Sequence, residues 1–390
     1  MLLVDIVLVA LLVLAVLVGV QRGLLASLGL FAGLAVGAVA AYWVMPLVGL
    51  WVPTAVWRTA AVAAAGIVVL LLGAAVGSAV GRILRRGADR IRLRIPERLL
   101  GGVVSLLAAA LAVSFVGGAL TATGTPVISS ALASSQVLRF IDSTTPPALR
   151  TAMAELRGTV FGEGLPTLGR LLEPAVTPSA PDVALDDPAL TEAAQSVAKI
   201  SGVAYACGIT ATGSGFAVAP DLVLTNAHVV AGVDEPIVEL PGRPAVDGRV
   251  VYFDPVDDLA VVAADGLGAE PLEVADTLPV GAAAVVQGYP HGGPFTSGAA
   301  QVLSVGTVSV PDIYDEGTAA REIYALAATV QPGNSGGPLL TTDGQVAGIV
   351  FARSDEGDAV GYAMTTAELQ PVLSQTGSLG PAVSSGRCTS

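Results

Sequence analysis

Charge is the first thing this sequence lacks. Of its 390 residues 13% are charged and 53% hydrophobic, with a mean hydropathy of +0.72, a balance that excludes an ordinary soluble protein and requires lipid to solvate part of the chain. Basic residues are scarce after position 122, where ten face 29 acidic ones for a net charge of −19. That excess excludes a nucleic-acid partner, because phosphate binding needs a basic face. Histidine occurs twice, at His228 and His291, so any imidazole chemistry rests on one of these. Cysteine also occurs twice, at Cys207 and Cys388, enough for a single disulfide.

What is present divides at the same place. Four apolar runs, Leu2–Val20, Leu24–Val44, Ala60–Val80 and Leu99–Leu120, each approach or exceed the ~20 residues a helix needs to cross a bilayer core. A cleaved signal peptide accounts for the first run alone and not for four. Arg82, Arg85, Arg86, Arg90, Arg92, Arg94 and Arg98 fill the segment between the third and fourth runs, which places that loop in the cytoplasm. The N-terminus and everything after the fourth run then lie outside the cytoplasmic membrane. Trp43, Trp51 and Trp57 fall beside or within the outer loop, where indoles favour the headgroup zone. Gly29, Gly33 and Gly37 in the second run, and Gly73, Gly77 and Gly81 in the third, repeat at four-residue spacing and read as close helix packing. No charge falls at mid-bilayer, which disfavours an ion or proton conduit. A four-helix unit with a basic loop before its last helix resembles the colicin V production family.

From Thr121 to about Asp187, Pro126, Pro146, Pro147, Pro166, Pro174, Pro178 and Pro181 punctuate the chain. Apolar residues recur at helical spacing only in Ser135–Phe140 and Ala148–Phe161. This stretch reads as a tether with short helices that holds the following domain off the membrane, and its Pro-rich Leu172–Pro188 portion as a site of nicking or autocleavage. The expected division is a four-helix transmembrane domain over 1–122, a linker over 123–190 and a catalytic domain over 191–390.

Three segments carry chemistry. Ser214-Gly215-Phe216-Ala217-Val218 and Leu222-Val223-Leu224-Thr225-Asn226-Ala227-His228 read as hairpin strands turning at Pro220–Asp221, with His228 at the end of the second. Asp257-Asp258-Leu259-Ala260-Val261-Val262 places an acid at the start of a buried strand. Gln331-Pro332-Gly333-Asn334-Ser335-Gly336-Gly337-Pro338-Leu339 sets a serine among glycines. A serine hydroxyl becomes a nucleophile when an imidazole takes its proton, and the imidazole needs a carboxylate to fix its tautomer. His228 is the base and Asp258 the orienter in this reading, with Asp254 and Asp257 nearby as capping residues of the turn at Pro255. The glycines let the Gly333 and Ser335 amides converge on one spot, as an oxyanion hole requires. His291 lies in a Gly/Pro loop with no strand after it and reads as a surface or substrate-side residue.

Thr-Asn-Ala-His-Val-Val, Asp-Leu-Ala-Val-Val and Gly-Asn-Ser-Gly-Gly-Pro-Leu, in that order, are similar to the three catalytic segments of the trypsin-like and HtrA-type proteases over roughly Gln195 to Thr376. The anchored arrangement resembles the mycobacterial acid-resistance periplasmic serine proteases. The resemblance implies two six-stranded antiparallel β-barrels with the site between them, a final helix near Thr366–Gln375, the triad His228, Asp258 and Ser335, and oxyanion donors Gly333 and Ser335; too few residues follow Ser378 for a PDZ domain, so the HtrA comparison is expected to stop at the protease. It implies a serine endopeptidase acting on envelope or periplasmic proteins in acid or oxidative stress, with no metal or organic cofactor. Outside the membrane, a Cys207–Cys388 disulfide follows from the oxidising compartment.

Where basic-specific relatives carry an Asp six residues before the serine, this chain has Thr329. Together with Val350, Phe351 and Ala352 as one wall of the cleft, that argues against strict Arg or Lys preference and for an apolar or uncharged residue in the first subsite. Protein or peptide substrates of the cell envelope and the lipid bilayer are the expected partners. A catalytically silent peptide sensor and an accessory domain of a transporter are the competing readings. An intact His, Asp, Ser and glycine set counts against the first, and the uncharged membrane core against the second.

Overall fold

Leu, Val and Ala runs of this length become helices because in lipid only a helix or a closed barrel satisfies every backbone N–H and C=O. Four helices long and apolar enough to cross a membrane follow: α1 (Leu2–Arg22), α2 (Leu24–Trp51), α3 (Ala55–Ala88) and α4 (Arg94–Ala122). Gly23, at φ 80°, makes the turn between α1 and α2. The computed structural model describes residues 2–51, 55–88, 94–122, 131–132, 134–161, 165–169, 171–172, 181, 183–204, 209–355 and 359–389. It divides into the units Leu2–Ser114 and Phe115–Ser390.

Within the first unit the two glycine stripes interlock, as their spacing suggests. A Cβ on Gly33 would lie 2.1 Å from the Gly73 carbonyl oxygen, and one on Gly77 would lie 2.1 Å from that of Gly29. Backbone therefore meets backbone along α2 and α3, with no room for a methyl group. Ser105 of α4 adds a polar tie, its hydroxyl donating to Ser27 at 3.2 Å.

In the second unit the sequence alternates short β-branched runs with Gly and Asp turns, and these fold into two antiparallel sheets. One is ordered β6-β5-β2-β3-β4-β8-β7, built from β2 (Val197–Ala204), β3 (Ile209–Ala219), β4 (Leu222–Thr225), β5 (Ile237–Glu239), β6 (Val246–Asp247), β7 (Arg249–Asp254) and β8 (Leu259–Ala263). Its seven segments amount to six strands, since β6 and β7 are one strand turning a corner at Gly248. The Gly248 amide donates to Pro236 O at 2.7 Å, and a Cβ there would strike Val262 at 2.6 Å.

The other sheet joins β9 (Ala283–Gly288), β10 (Thr296–Pro311), β11 (Thr318–Ala327), β12 (Pro338–Leu340), β13 (Val346–Ser354) and β14 (Val360–Thr365). Pairing of β13 with β14 closes it into the expected six-stranded barrel. Phe216, Leu224 and Val261 of the first barrel share one buried core with Ile323, Phe351 and Met364 of the second, so the barrels pack face to face. The final helix spans Thr366–Leu373.

The stretch read as a standoff tether carries structure of its own. Two of its helices, Gln136–Thr144 (α5) and Pro147–Phe161 (α6), form near the expected positions, the first capped by Ser135. After them Thr167–Leu168 forms strand β1, which pairs in parallel with Arg353–Ser354 of β13. Leu165 is buried in the core of the second barrel. Apolar side chains that find a place on the barrel dock there rather than remain solvated. Residues 173–180 and 182, within the expected nicking stretch, lie outside the described residues.

Candidate active site

Strand β4 ends at Thr225, and Asn226 leads directly into a single helical turn, Ala227–Val230, that carries His228. Asn226 Nδ2 donates to the Asp258 carbonyl at 2.9 Å, which ties that turn to the β7–β8 connection. Asp258 itself adopts φ 55°, a left-handed conformation that Asp and Asn tolerate better than most residues. Its carboxylate accepts from the His228 amide through Oδ1 at 2.9 Å and lies 3.0 and 2.8 Å from His228 Nδ1 through Oδ1 and Oδ2. Asp258 and the imidazole are both shielded from solvent. With Nδ1 engaged, Nε2 is the nitrogen left for proton transfer.

The neighbouring acids take other roles. Asp254 Oδ1 accepts from the amides of Val256 at 2.9 Å and Asp257 at 3.1 Å, capping the turn. Burial, followed by the nearby charge of Asp254, pushes the Asp257 carboxyl above the usual carboxylate range, against the pull of Arg321.

Ser335 is buried and lines one cavity of about 600 Å³ together with His228 and Asp258. Neither Ser335 Oγ nor His228 Nε2 has a hydrogen-bond partner in this resting structure. Such contacts are often long before substrate arrives. The loop around the serine is held on both sides. Gly336 N donates to Val350 O at 2.8 Å and Val350 N to Gly337 O at 2.9 Å, while Ser214 N donates to Ser335 O at 2.8 Å. Gly336 has φ 81°, and a Cβ on it would sit 2.2 Å from both Ser214 O and Thr225 Oγ1.

The amides of Gly333 and Ser335 donate to no described residue, whereas Asn334 N between them bonds Gln331 O at 3.0 Å. Pro332 O accepts from His291 N at 2.6 Å. Because N–H and C=O of a trans peptide point opposite ways, this bond turns the Gly333 N–H away from His291. Two unbonded amides flanking a buried hydroxyl are the donor arrangement that tetrahedral oxyanions require.

Several residues stand elsewhere than sequence reasoning put them. His291 is half-buried, and its backbone, at φ 54°, braces the serine loop rather than forming open surface. Thr329 is exposed and is not among the residues lining the cavity, because it lies past the end of β11 where the chain turns outward. Of the expected wall, Phe351 lines the cavity, whereas Val350 and Ala352 are fully buried in the barrel cores. A register shift between Val350 and Ala352 aims Phe351 separately. Cys207 lies outside the described residues. Cys388 lies near Gly232, a Cβ on which would be 2.9 Å from the Cys388 sulfur and 3.3 Å from Ala204 Cβ at the end of β2.

Four further features had no clear sequence signal. Ser214, wholly buried, donates its hydroxyl to Gly333 O at 2.7 Å and accepts from Tyr289 N at 2.9 Å, joining the first barrel to the serine loop. Leu165, Pro166, Thr167 and Leu168 border the cavity, with Arg353 N donating to Pro166 O at 3.1 Å and Asp355 N to Leu168 O at 3.0 Å. Thr389, next to last in the sequence, borders it too. Its segment is strapped down by Arg387, which pairs with Glu316 at 2.5 Å and stacks 4.4 Å over the Tyr314 ring. The fourth feature is Arg321 of β11, fully buried beside the cavity, whose Nη2 donates to the carbonyls of Val256 and, at 3.2 Å, Pro311.

Both parts of the chain are similar to known proteins. Residues 213–349 match the family described as Trypsin-like peptidase domain, and residues 4–146 match Colicin V production protein. Serine protease Rv3671c of Mycobacterium tuberculosis is 34% identical over 312 residues, 78% of each chain. A probable periplasmic serine endoprotease DegP-like of Hahella chejuensis is 36% identical over 170 residues, 42% of this chain and 35% of that one. The crystal structure of Rv3671c protease in its active form superposes with a TM-score of 0.51 at 35% identity, covering 56% of this chain and all of that one.

Proposed function

The chain belongs to the family of serine protease Rv3671c, and from that premise we propose that it is a membrane-anchored endopeptidase that hydrolyses envelope proteins through an acyl-enzyme on Ser335. The observation that carries the reading is the His228–Asp258 pair facing the same cavity as a buried, unbonded Ser335 hydroxyl with two free amides beside it. On substrate binding, Ser335 Oγ attacks the scissile carbonyl carbon as its proton passes to His228 Nε2, and Asp258 stabilises the imidazolium. The carbonyl oxygen becomes an oxyanion facing the Gly333 and Ser335 amides, each such donor being worth about 3 kcal/mol of barrier. Collapse expels the amine with the proton returned by His228, and water then hydrolyses the ester by the same route in reverse.

The division into a membrane domain over 1–122, a linker over 123–190 and a protease domain over 191–390 belongs to this reading. So does the placement of the protease outside the cytoplasmic membrane, which rests on the arginines between α3 and α4. The position of Phe351 in the cavity wall favours an apolar or uncharged residue before the scissile bond. A Cys207–Cys388 disulfide is favoured because the Cys388 sulfur lies close to the end of β2, three residues before Cys207. A role in acid or oxidative stress follows from the resemblance to the acid-resistance proteases.

Incubation of the full-length chain in detergent with casein tests the proposal. Mapped cut sites absent with Ser335→Ala support it. No cleavage by the unmodified chain under oxidising conditions, or equal cleavage by both, contradicts it.

A further inference from the structure

One edge of β13 carries three partners in succession. β12 and β14 both pair with Gly348 and Ile349, so they lie on opposite edges of β13. On the β12 edge Pro338 lies opposite Ile349, and the serine loop follows, with Val350 O accepting from Gly336 N and Val350 N donating to Gly337 O. β14 keeps the other edge as far as Arg353. The pairing of Thr167–Leu168 with Arg353–Ser354 therefore continues the serine-loop edge. Strand β1 takes the part of that edge next beyond the loop of Ser335, and Leu165, Pro166, Thr167 and Leu168 border the cavity that His228, Asp258 and Ser335 share.

An open strand edge is what an extended peptide pairs with, because main-chain bonds need no particular side chains. Here the amides that such a peptide would use are taken. Arg353 N donates to Pro166 O at 3.1 Å and Asp355 N to Leu168 O at 3.0 Å. A polypeptide reaching Ser335 along β13 has to displace both bonds.

The segment is held at either end. Leu165 is buried in the core of the second barrel. Beyond β1 the Tyr362 hydroxyl donates to Gly169 O and accepts from Leu171 N, each at 3.3 Å, and Leu168, Leu171 and Leu172 lie half-buried against the shared core. Being part of the chain, the segment competes with substrate at an effective concentration on the order of millimolar. Its hold is still limited. Parallel pairing is slightly the weaker kind and only two residues take part, so β1 can open without the barrel unfolding.

We propose that residues 165–168 form an autoinhibitory strap, which covers the peptide-binding edge of β13 and admits polypeptide substrate to Ser335 only when it lifts. The proposal rests on the protease reading for what the edge receives, and its test reads binding rather than cleavage so that the two fail separately.

Binding of fluorescein-labelled casein to the full-length Ser335→Ala chain in detergent, followed by anisotropy, provides that test. Thr167 and Arg353 are register partners, and adjacent strands stand at a separation a disulfide spans, so Thr167→Cys with Arg353→Cys locks the strap when oxidised. The locked chain is expected to bind casein about tenfold more weakly than the same chain reduced, after correction for Ser335→Ala alone under the same treatment. Leu171 and Leu172 are not among the residues lining the cavity. Leu171→Ser with Leu172→Ser loosens the strap, and casein binding is expected to tighten about tenfold, near the worth of burying one leucine side chain. Should the cysteine pair fail to oxidise, the leucine variant decides the matter. Equal binding by the locked and reduced chains, binding unchanged or weakened in the leucine variant, or no binding in any state overturns the strap. Binding that follows the lock in a chain whose Ser335 form cleaves nothing would remove the protease reading and leave the strap standing.

Discussion

The backbone N–H of His291 holds the Pro332 carbonyl at 2.6 Å, and that single bond sets the direction of the Gly333 N–H beside Ser335. The turn that carries His291 is itself packed against α6. A Cβ on Gly158 would lie 2.5 Å from His291 Nδ1, and Ala154, buried, fills the space over Gly293. Helix α6 thus backs the turn that aims the Gly333 N–H.

Gly158→Leu keeps helix propensity but forces the imidazole of His291 to move. A displacement of about 1 Å at an oxyanion donor costs up to ~100-fold in rate. Peptide turnover by the full chain is expected to lose kcat by about 10- to 100-fold with KM little changed; a change confined to KM would mean that the turn does not govern the Gly333 amide.

Asp258→Asn separates electrostatics from shape. Asparagine tolerates the left-handed backbone at this position, and its side-chain oxygen can still accept from the His228 amide. It cannot carry the charge that fixes the imidazole tautomer. The variant is expected to fold with an unchanged melting temperature and to lose about 10⁴-fold in kcat. A loss under tenfold would remove Asp258 as the orienting carboxylate.

How much of this was legible in the sequence depended on the kind of signal. The Thr225–Val230 and Gln331–Leu339 segments announce their chemistry because both the side chains and the glycines that shape them are local. The α2 and α3 stripes were equally plain, since a four-residue repeat maps onto one helix face. Strand β1 was not legible: two residues, Thr167 and Leu168, carry no periodicity, and their pairing partner lies far along the chain at Arg353–Ser354. Ser214 reads as one more small residue in a strand, and Arg321 as an ordinary strand arginine, until the fold buries both beside the serine loop or the cavity. Thr329 misled because its position was inferred by counting back from Ser335, and counting does not show which way a turn faces.

Gly33→Leu tests the membrane unit separately. With the Cβ only 2.1 Å from the Gly73 carbonyl, α2 and α3 must move apart. The full chain in detergent is expected to show a lower unfolding temperature, and a cysteine pair placed across the α2–α3 contact should cross-link less efficiently. Unaltered cross-linking would refute the interlocked stripes.

The central claim is that Ser335 is a nucleophile activated by His228. Fluorophosphonate labelling of the full-length chain, with Ser335→Ala and His228→Ala beside it and the adduct located by mass spectrometry, tests this most directly. The account predicts a single adduct on Ser335 of the unmodified chain and none on either variant. Labelling that persists in Ser335→Ala, or an unmodified chain that stays unlabelled from mildly acidic to mildly alkaline pH, would contradict it.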